Sequence, residues 1–289
     1  MSTADDVVDE RAPRDRWSLV ESATDHLVSL VTPRSFEAEQ YRSLRHIIVE
    51  RAQAAERLSV LAVSSPSMGD GKTTTTINLA GALAQTRAVR VLLIDADLRR
   101  PSVSKRLGLQ GSTVPGLAEA VLDDTLTLDD VVRQHPTFNL SLLPAGRGSD
   151  LPYEALKSPR VGKLFEEARR RYDFVLVDTP PLVPLADCRI IGKWVDAFVV
   201  VVAAHKTPRK LVQEALAVLD PDRVLGLVFN RDEQARAANY YGYYGYAGYG
   251  GSAPETWMDR WRRRLTGAGV AVRPAKRRRR KTSATTEPA

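Results

Sequence analysis

The sequence predicts an α/β fold in which a mostly parallel central β-sheet is covered by helices on both faces. Short runs of Val, Ile and Leu recur along the chain, and segments with helical spacing separate them. Strands that are apolar along their whole length are typical of parallel sheets that are buried on both faces. The alternation of such strands with helices indicates the same architecture.

The predicted elements follow one another in a regular order. Residues 35–57 carry apolar and charged residues at helical spacing, without Gly or Pro, and predict a first helix. A second helix is predicted over residues 73–85, after a glycine-containing turn. Six apolar runs predict the strands, at residues 58–63, 89–94, 138–143, 174–177, 198–202 and 224–229. The alternation stops after Arg231.

The composition divides the chain into four parts. Residues 1–32 are polar and predict a flexible N-terminal arm, whereas residues 33–235 contain the predicted α/β domain. Residues 236–251 are a Tyr/Gly-rich segment of low complexity, and residues 252–289 are a basic tail. We expect this tail to be largely disordered, because its composition is rich in charge and poor in residues that form a core.

The positive net charge of +7 belongs to the tail. Residues 252–289 hold eleven Lys and Arg against three acidic residues, a net charge of +8, so the other 251 residues carry about −1. The folded part is therefore not predicted to bind nucleic acid, because proteins that do so carry a basic surface.

The sequence also indicates a cellular compartment. Cys188 is the single cysteine, which excludes an intrachain disulfide and is typical of a reducing environment. No apolar run reaches the roughly 18–20 residues that cross a bilayer, and the acidic, polar start does not resemble a secretory signal. We therefore expect a cytoplasmic protein.

Residues 64–73 (SSPSMGDGKT) lie between a predicted strand and a predicted helix and contain a phosphate-loop motif. Glycines allow the tight turn that points backbone N–H groups at phosphate oxygens, and the helix N-terminus adds partial positive charge. Lys72 would reach the β- and γ-phosphates, and Thr73 would bind Mg²⁺. The residues expected to contact the nucleotide are Gly69, Asp70, Gly71, Lys72, Thr73 and Thr74. Pro66 replaces the first glycine of the strict pattern, and the alternative is a glycine-rich turn with an incidental lysine.

Three carboxylates follow the loop, at the ends of two apolar strands. Asp95 and Asp97 are two residues apart, so their side chains point to the same side, beside the phosphate loop. Asp178 ends a later strand and is an expected partner of Mg²⁺. Two aspartates at a strand end also occur in ordinary turns, but three carboxylates after a phosphate loop predict binding of ATP or GTP with Mg²⁺.

With these motifs in place, the chain resembles the bacterial tyrosine kinases of capsular and exopolysaccharide synthesis over most of its length. That family carries a phosphate loop, a D-x-D-x-R motif, a D-T-P-P motif and a C-terminal tyrosine cluster. Here these are the loop above, residues 95–99 (DADLR), residues 178–181 (DTPP) and the tyrosines from Tyr240 onward. Met68 is a departure, because the family usually has Pro at this position.

The resemblance implies a phosphate-loop NTPase fold and an autokinase that uses ATP and Mg²⁺. The residues with implied catalytic roles are Lys72, Asp95, Asp97 and Asp178, and those with implied metal contacts are Thr73, Asp97 and Asp178. Either Asp95 or Asp97 would accept the proton of the tyrosine hydroxyl while the other assists the metal, and the sequence does not choose between them. Asn230, at the end of the last predicted strand, would lie near the adenine.

Glu39, Arg42 and Arg45 resemble the family's oligomerisation motif near the start of the kinase domain. Because they are spaced three apart on a predicted helix, they form one charged face that could pair with a neighbouring subunit. The alternative is a solvated helix face.

Six of the nine tyrosines lie within residues 240–249. They follow neither a helical nor a strand period, and glycines between them favour a flexible segment. The resemblance implies that they accept phosphate from a neighbouring subunit, and the alternative is an aromatic linker. The implied acceptors are Tyr240, Tyr241, Tyr243, Tyr244, Tyr246 and Tyr249.

The basic tail contains Trp257, Met258, Trp261 and Leu265 on one predicted helical face beside several arginines, and residues 276–281 are all basic. An amphipathic basic helix with a polybasic run favours binding to an anionic membrane surface. A solvated chain end and nonspecific contact with nucleic acid are the alternatives.

The leading hypothesis is a tyrosine autokinase that regulates polysaccharide synthesis or export at the inner face of the cell membrane. Its expected partners are further copies of itself, a separate transmembrane activator or polysaccharide co-polymerase, and a protein-tyrosine phosphatase. The alternatives are a partitioning or positioning ATPase of the same fold and a nucleotide-binding scaffold with little turnover. Such ATPases carry an extra lysine five residues before Lys72, and this chain has Ser67 there.

Overall fold

The computed structural model describes residues 27–55, 58–109, 115–147, 152–184 and 186–232. The strands are β1 (Val60–Ser64), β2 (Val91–Asp95), β3 (Arg133–Gln134), β4 (Leu140–Leu143), β5 (Phe174–Asp178), β6 (Ala197–Ala203) and β7 (Val224–Asn230). The helices are α1 (Val28–Val31), α2 (Phe36–Ala54), α3 (Lys72–Ala84), α4 (Val103–Arg106), α5 (Leu117–Leu122), α6 (Leu128–Val131), α7 (Pro152–Lys157), α8 (Pro159–Arg171), α9 (Asp187–Ile191) and α10 (Arg209–Ala217). The tyrosine cluster and the basic tail lie outside the described residues.

The described strands form one sheet in the order β3-β4-β2-β5-β1-β6-β7. The two-residue strand β3 pairs antiparallel with β4, and every other neighbouring pair is parallel. In the centre, Ala62 of β1 is in register with Val177 of β5 on one side and Phe198 of β6 on the other. The predicted α/β fold with a mostly parallel sheet is therefore confirmed.

Helices cover both faces of this sheet. Leu61, Leu93 and Leu176 belong to a buried cluster with residues of α1, α2 and α3. The adjacent positions Ala62 and Leu92 belong to a second buried cluster, which includes residues of helices α5 to α10. Side chains that alternate along each strand therefore face different helical layers, which is why the central strands are apolar along most of their length.

Residues 27–32 differ from the sequence-based expectation of a flexible arm that extends to residue 32. Leu27 and Leu30 are buried. Leu30 lies so close to Gly81 that a Cβ on residue 81 would be 2.7 Å from the Leu30 side chain. The Ser29 N–H donates to Asn78 Oδ1 at 2.9 Å. The packed part of the chain therefore begins before residue 33, because two apolar side chains fill a surface on α3.

The described part of the chain contains no helix that is both long enough and apolar enough to cross a bilayer.

Candidate active site

The phosphate-loop motif forms a tight turn between β1 and α3. Gly69 and Gly71 have φ angles of +85° and +102°, in the left-handed region that favours glycine. Gly71 directly precedes α3, and a Cβ at this position would lie 1.9 Å from the Asn230 Nδ2 atom. Gly71 is therefore favoured by the backbone conformation, and a larger residue here would also displace the Asn230 side chain.

Asp70 stabilises the loop through hydrogen bonds to its side chain and its backbone. Its buried carboxylate accepts hydrogen bonds from the Ser67 N–H at 2.9 Å, the Ser67 hydroxyl at 3.1 Å and the Thr207 hydroxyl at 2.7 Å. Its backbone carbonyl accepts a further bond from Asn230 Nδ2 at 3.0 Å. In this structure the Asp70 carboxylate thus holds the loop together, and Asn230 lies against the loop.

Lys72, Asp97 and Asp178 come together beside the loop. The Lys72 Nζ atom lies 3.0 Å from Asp97 Oδ2 and 3.8 Å from Asp178 Oδ2. The Thr73 hydroxyl donates to Asp178 Oδ2 at 2.7 Å, and the Thr76 hydroxyl donates to Asp178 Oδ1 at 3.2 Å. These contacts arise because β2 and β5 are neighbours in the sheet, so that their carboxyl ends meet at one edge.

Asp95 has a different environment from Asp97. It is fully buried, and its Oδ2 atom accepts the backbone N–H groups of Ser102 at 3.1 Å and Val103 at 3.0 Å. Its Oδ1 atom accepts the Asp97 N–H at 3.2 Å. Asp95 therefore fixes the turn that connects β2 to α4, and Asp97 is the aspartate that contacts Lys72.

The cluster is rich in negative charge. Burial and the neighbouring charge of Asp178 raise the pKa of Asp95 to about 7. Burial also raises the pKa of Asp178, which the Lys72 ammonium only partly opposes. Although burial alone would lower the pKa of Lys72, the charges of Asp178 and Asp97 outweigh it and raise that pKa. A site of this kind favours a bound cation in addition to the lysine.

The donor set fits Mg²⁺. Among the described residues, no three acidic, His or Cys side chains gather into a metal cage of their own. Mg²⁺ is usually held by one or two carboxylates together with substrate phosphates. The hydroxyl of Thr73 and the carboxylates of Asp97 and Asp178 provide such oxygens beside the loop.

Two further contacts were not foreseen from the sequence. Arg99 makes a two-pronged ion pair with the buried Asp187, with distances of 2.6 and 3.2 Å. Cys188 is buried, its thiol donates to the Pro180 carbonyl at 2.9 Å, and burial raises its pKa to about 11. Asp187 lies 88 residues from Arg99 in the chain, so no local pattern connects the two.

The three residues of the expected oligomerisation motif lie on α2 and make contacts within the chain. Arg42 pairs with Glu39 and donates to the Pro33 carbonyl at 2.6 Å. Arg45 donates to the carbonyl of Ala82, near the end of α3, at 3.1 Å. The role of this motif in assembly stays a prediction.

Fold and site together define a phosphate-loop nucleotide-binding protein, and a family model described as an AAA domain matches residues 58–208. Tyrosine-protein kinase YwqD of Bacillus subtilis is 34% identical over 74% of this chain and 90% of that protein. The succinoglycan biosynthesis transport protein ExoP of Rhizobium meliloti is 30% identical over 82% of this chain and 29% of its own length. The solved BceF tyrosine kinase domain is 31% identical, with a TM-score of 0.63 over 72% of this chain and 84% of that one.

The chain therefore belongs to the bacterial tyrosine-kinase family, and it corresponds to the kinase domain of that family. The family resemblance inferred from the motifs is confirmed, and the partitioning or positioning ATPase is not favoured. Ser67 stands where such an ATPase would carry its extra lysine, and its N–H and hydroxyl both donate to Asp70.

Proposed function

We propose that this chain is an ATP-dependent tyrosine autokinase that phosphorylates its own C-terminal tyrosine cluster. The observation that carries the proposal is the contact of Lys72 with Asp97 and Asp178 at a phosphate loop, in a chain of the tyrosine-kinase family. A partitioning ATPase would not need six tyrosines within residues 240–249.

The loop residues supply binding and charge. Backbone N–H groups from Gly69 to Thr74 would cradle the phosphates of ATP, and the Lys72 ammonium would offset charge on the transferred group. Thr73 and Asp178 would hold Mg²⁺, which when bound offsets the charge of the β- and γ-phosphate oxygens. When ATP binds, the Lys72 ammonium would shift from Asp97 and Asp178 toward the phosphate oxygens. The triphosphate carries more negative charge than the two carboxylates.

Proton removal from the acceptor is assigned to Asp97. Tyrosine has an ordinary pKa near 10, so a carboxylate must accept its proton as the phosphoryl group is transferred. Asp95 is fully buried and already accepts three backbone N–H groups, whereas Asp97 contacts Lys72 at the loop. Asp95 then acts by holding the Asp97 backbone in position.

Family membership supports a proposal for the acceptors and for the assembly. Tyr240, Tyr241, Tyr243, Tyr244, Tyr246 and Tyr249 are the proposed acceptors. Phosphate would pass from the site of one subunit to the cluster of another, in an oligomer that involves Glu39, Arg42 and Arg45 on α2. Asn230 is proposed to lie near the adenine because the family resemblance implies it, and in the structure its side chain lies against the loop at Gly71.

The proposed pathway is the synthesis or export of a capsular or extracellular polysaccharide. ExoP, which is 30% identical, is named for the biosynthesis of succinoglycan. We also propose that a separate transmembrane activator or co-polymerase assists this chain, because the family resemblance implies such a partner. A protein-tyrosine phosphatase would reverse the reaction at the inner face of the membrane, to which the basic tail would bind.

A mixing experiment tests transfer between subunits. One version of the full chain carries Lys72→Met with intact tyrosines, and the other carries intact Lys72 with all six clustered tyrosines changed to Phe. We expect phosphotyrosine on the first version only when the second version, the activator and Mg-ATP are all present. If neither version, alone or mixed, acquires phosphate while the wild-type chain does, transfer within one subunit is indicated. A wild-type chain that binds ATP but transfers no phosphate would support the scaffold instead.

A further inference from the structure

We propose that Arg106 is a phosphate-binding residue of this site, which contacts a phosphate group that ADP and ATP share. The inference deepens the proposed function and rests on it to the extent that the site binds a nucleotide. Arg106 is the last residue of α4 and lies outside every motif described above.

The first support is the position of the guanidinium. Arg106 Nη1 donates to the Thr74 hydroxyl at 3.1 Å. Thr74 is the third residue of α3, within the first helical turn, where free N–H groups and the helix dipole attract phosphate. A cation is therefore held directly beside the part of the loop that is built to receive an anion.

The second support is that α4 is held in place by buried groups. The backbone N–H groups of Ser102 and Val103 donate to the buried Asp95 carboxylate. Val103 and Leu107 are themselves buried in the core beside α3. The backbone that carries Arg106 is thus fixed relative to the loop, which lowers the entropy cost of placing its guanidinium on a ligand.

The third support is charge. Lys72 pairs with Asp97 and Asp178, and the half-exposed Arg99 pairs with Asp187. Arg106 bonds instead to a neutral hydroxyl, and within the described ranges it forms no ion pair with a carboxylate. Because a guanidinium has five N–H donors in a planar fork, most of its donors stay available to a phosphate.

The same contacts indicate which phosphate is addressed. Lys72, Thr73 and two aspartates form the cluster that would receive the β- and γ-phosphates and the metal. The Thr74 hydroxyl accepts the hydrogen bond from Arg106 and takes no part in the hydrogen bonds of that cluster. Arg106 therefore contacts the phosphates near the nucleoside, which are present in both ADP and ATP.

Equilibrium titration of the full chain tests the proposal, with Mg-ADP, a non-hydrolysable Mg-ATP analogue and adenosine as probes. The variants are Arg106→Gln, Arg106→Lys and, as a matched control, Lys105→Gln, which removes a charge from an exposed neighbour on the same helix. We expect Arg106→Gln to weaken both nucleotides by roughly ten- to a hundredfold. Arg106→Lys should lose less nucleotide affinity than Arg106→Gln, and Lys105→Gln should bind both nucleotides as tightly as the wild type.

Each other outcome has a defined meaning. Arg106→Gln binding ADP as tightly as the wild type would overturn the proposal and leave the proposed function intact. If Arg106→Gln lost affinity for the ATP analogue but not for ADP, the assignment to a phosphate that both nucleotides share would be overturned. If the affinity for adenosine fell as much as the affinity for the nucleotides, Arg106 would support only the fold of the site. A wild-type chain that binds neither nucleotide would overturn the proposed function itself.

Discussion

At the scale of single residues, the phosphate loop depends on side chains that its motif does not contain. Thr207 donates a hydrogen bond to the buried carboxylate of Asp70 and accepts one from the Ala203 N–H at 3.1 Å. Asn230 donates to the Asp70 carbonyl from the end of β7. The ends of β6 and β7 thus shape the loop in advance, so that less ordering is needed when a nucleotide binds.

This arrangement predicts the effect of changing Thr207. In Thr207→Val the Asp70 carboxylate loses a donor in a buried setting, and hydrogen bonds to charged groups are worth about 1.5–3 kcal/mol. We expect ATP affinity, measured by titration, to fall roughly tenfold. Thr207→Ser retains the hydroxyl and should bind ATP nearly as well as the wild type. Wild-type affinity in the valine variant would show that the loop keeps its shape without this bond.

At the scale of elements, Asp196 joins two strands and a helix. It directly precedes β6, and its Oδ2 atom accepts the backbone N–H groups of Ser59 at 2.9 Å and Val60 at 2.8 Å, where β1 begins. The same oxygen accepts a bond from Arg169 of α8 at 2.6 Å. One carboxylate therefore fixes the register of the central strand and docks a covering helix onto the sheet.

Asp196 also predicts a pH dependence of stability. Although burial acts to raise the pKa of Asp196, Arg169 and the two backbone donors outweigh it and lower that pKa. A depressed carboxylate pKa gives stability that is present above the unfolded-state value and is lost as the pH falls through the folded-state value. We expect Asp196→Asn to reduce the free energy of unfolding by about 1–3 kcal/mol at pH 7.

Urea unfolding of both proteins at a series of pH values measures this difference. The gap between wild type and Asp196→Asn should narrow as the pH falls below about 4, where the unfolded aspartate becomes protonated. A gap that stays constant with pH would mean that the carboxylate charge contributes nothing.

At the scale of the whole molecule, phosphorylation is expected to oppose assembly. Each phosphotyrosine adds about −1.5 to −2 charges, and the proposed acceptors lie within ten residues of one another. Repulsion between the phosphorylated segments of neighbouring subunits should therefore drive an oligomer apart. We expect sedimentation to show larger species after phosphatase treatment than before it.

A chain with all six clustered tyrosines changed to Phe is the control for that experiment. It should remain assembled in the presence of Mg-ATP and be insensitive to phosphatase. An unchanged sedimentation profile for the wild type before and after phosphatase would refute the link between phosphate and assembly.

The sequence predicts those parts of the molecule that depend on local patterns. The apolar strands and the glycine-lysine loop could be read directly, and the three aspartates follow from strand ends that meet at one edge of the sheet. Thr207, Asp187 and Arg106 could not be found in this way, because each acts on a residue distant in the chain. Packing of residues 27–30 onto α3 was missed for the same reason, since it depends on a complementary surface near Gly81.

The most direct test of autokinase activity is phosphotyrosine mapping by mass spectrometry on protein recovered from its own cells. Those cells contain any activator that the chain requires, and a Lys72→Met version provides the comparison. We expect phosphate on tyrosines within residues 240–249 of the wild type and none on the Lys72→Met protein. Absence of phosphotyrosine from the wild type, with ATP binding intact, would contradict the account and favour a nucleotide-binding scaffold.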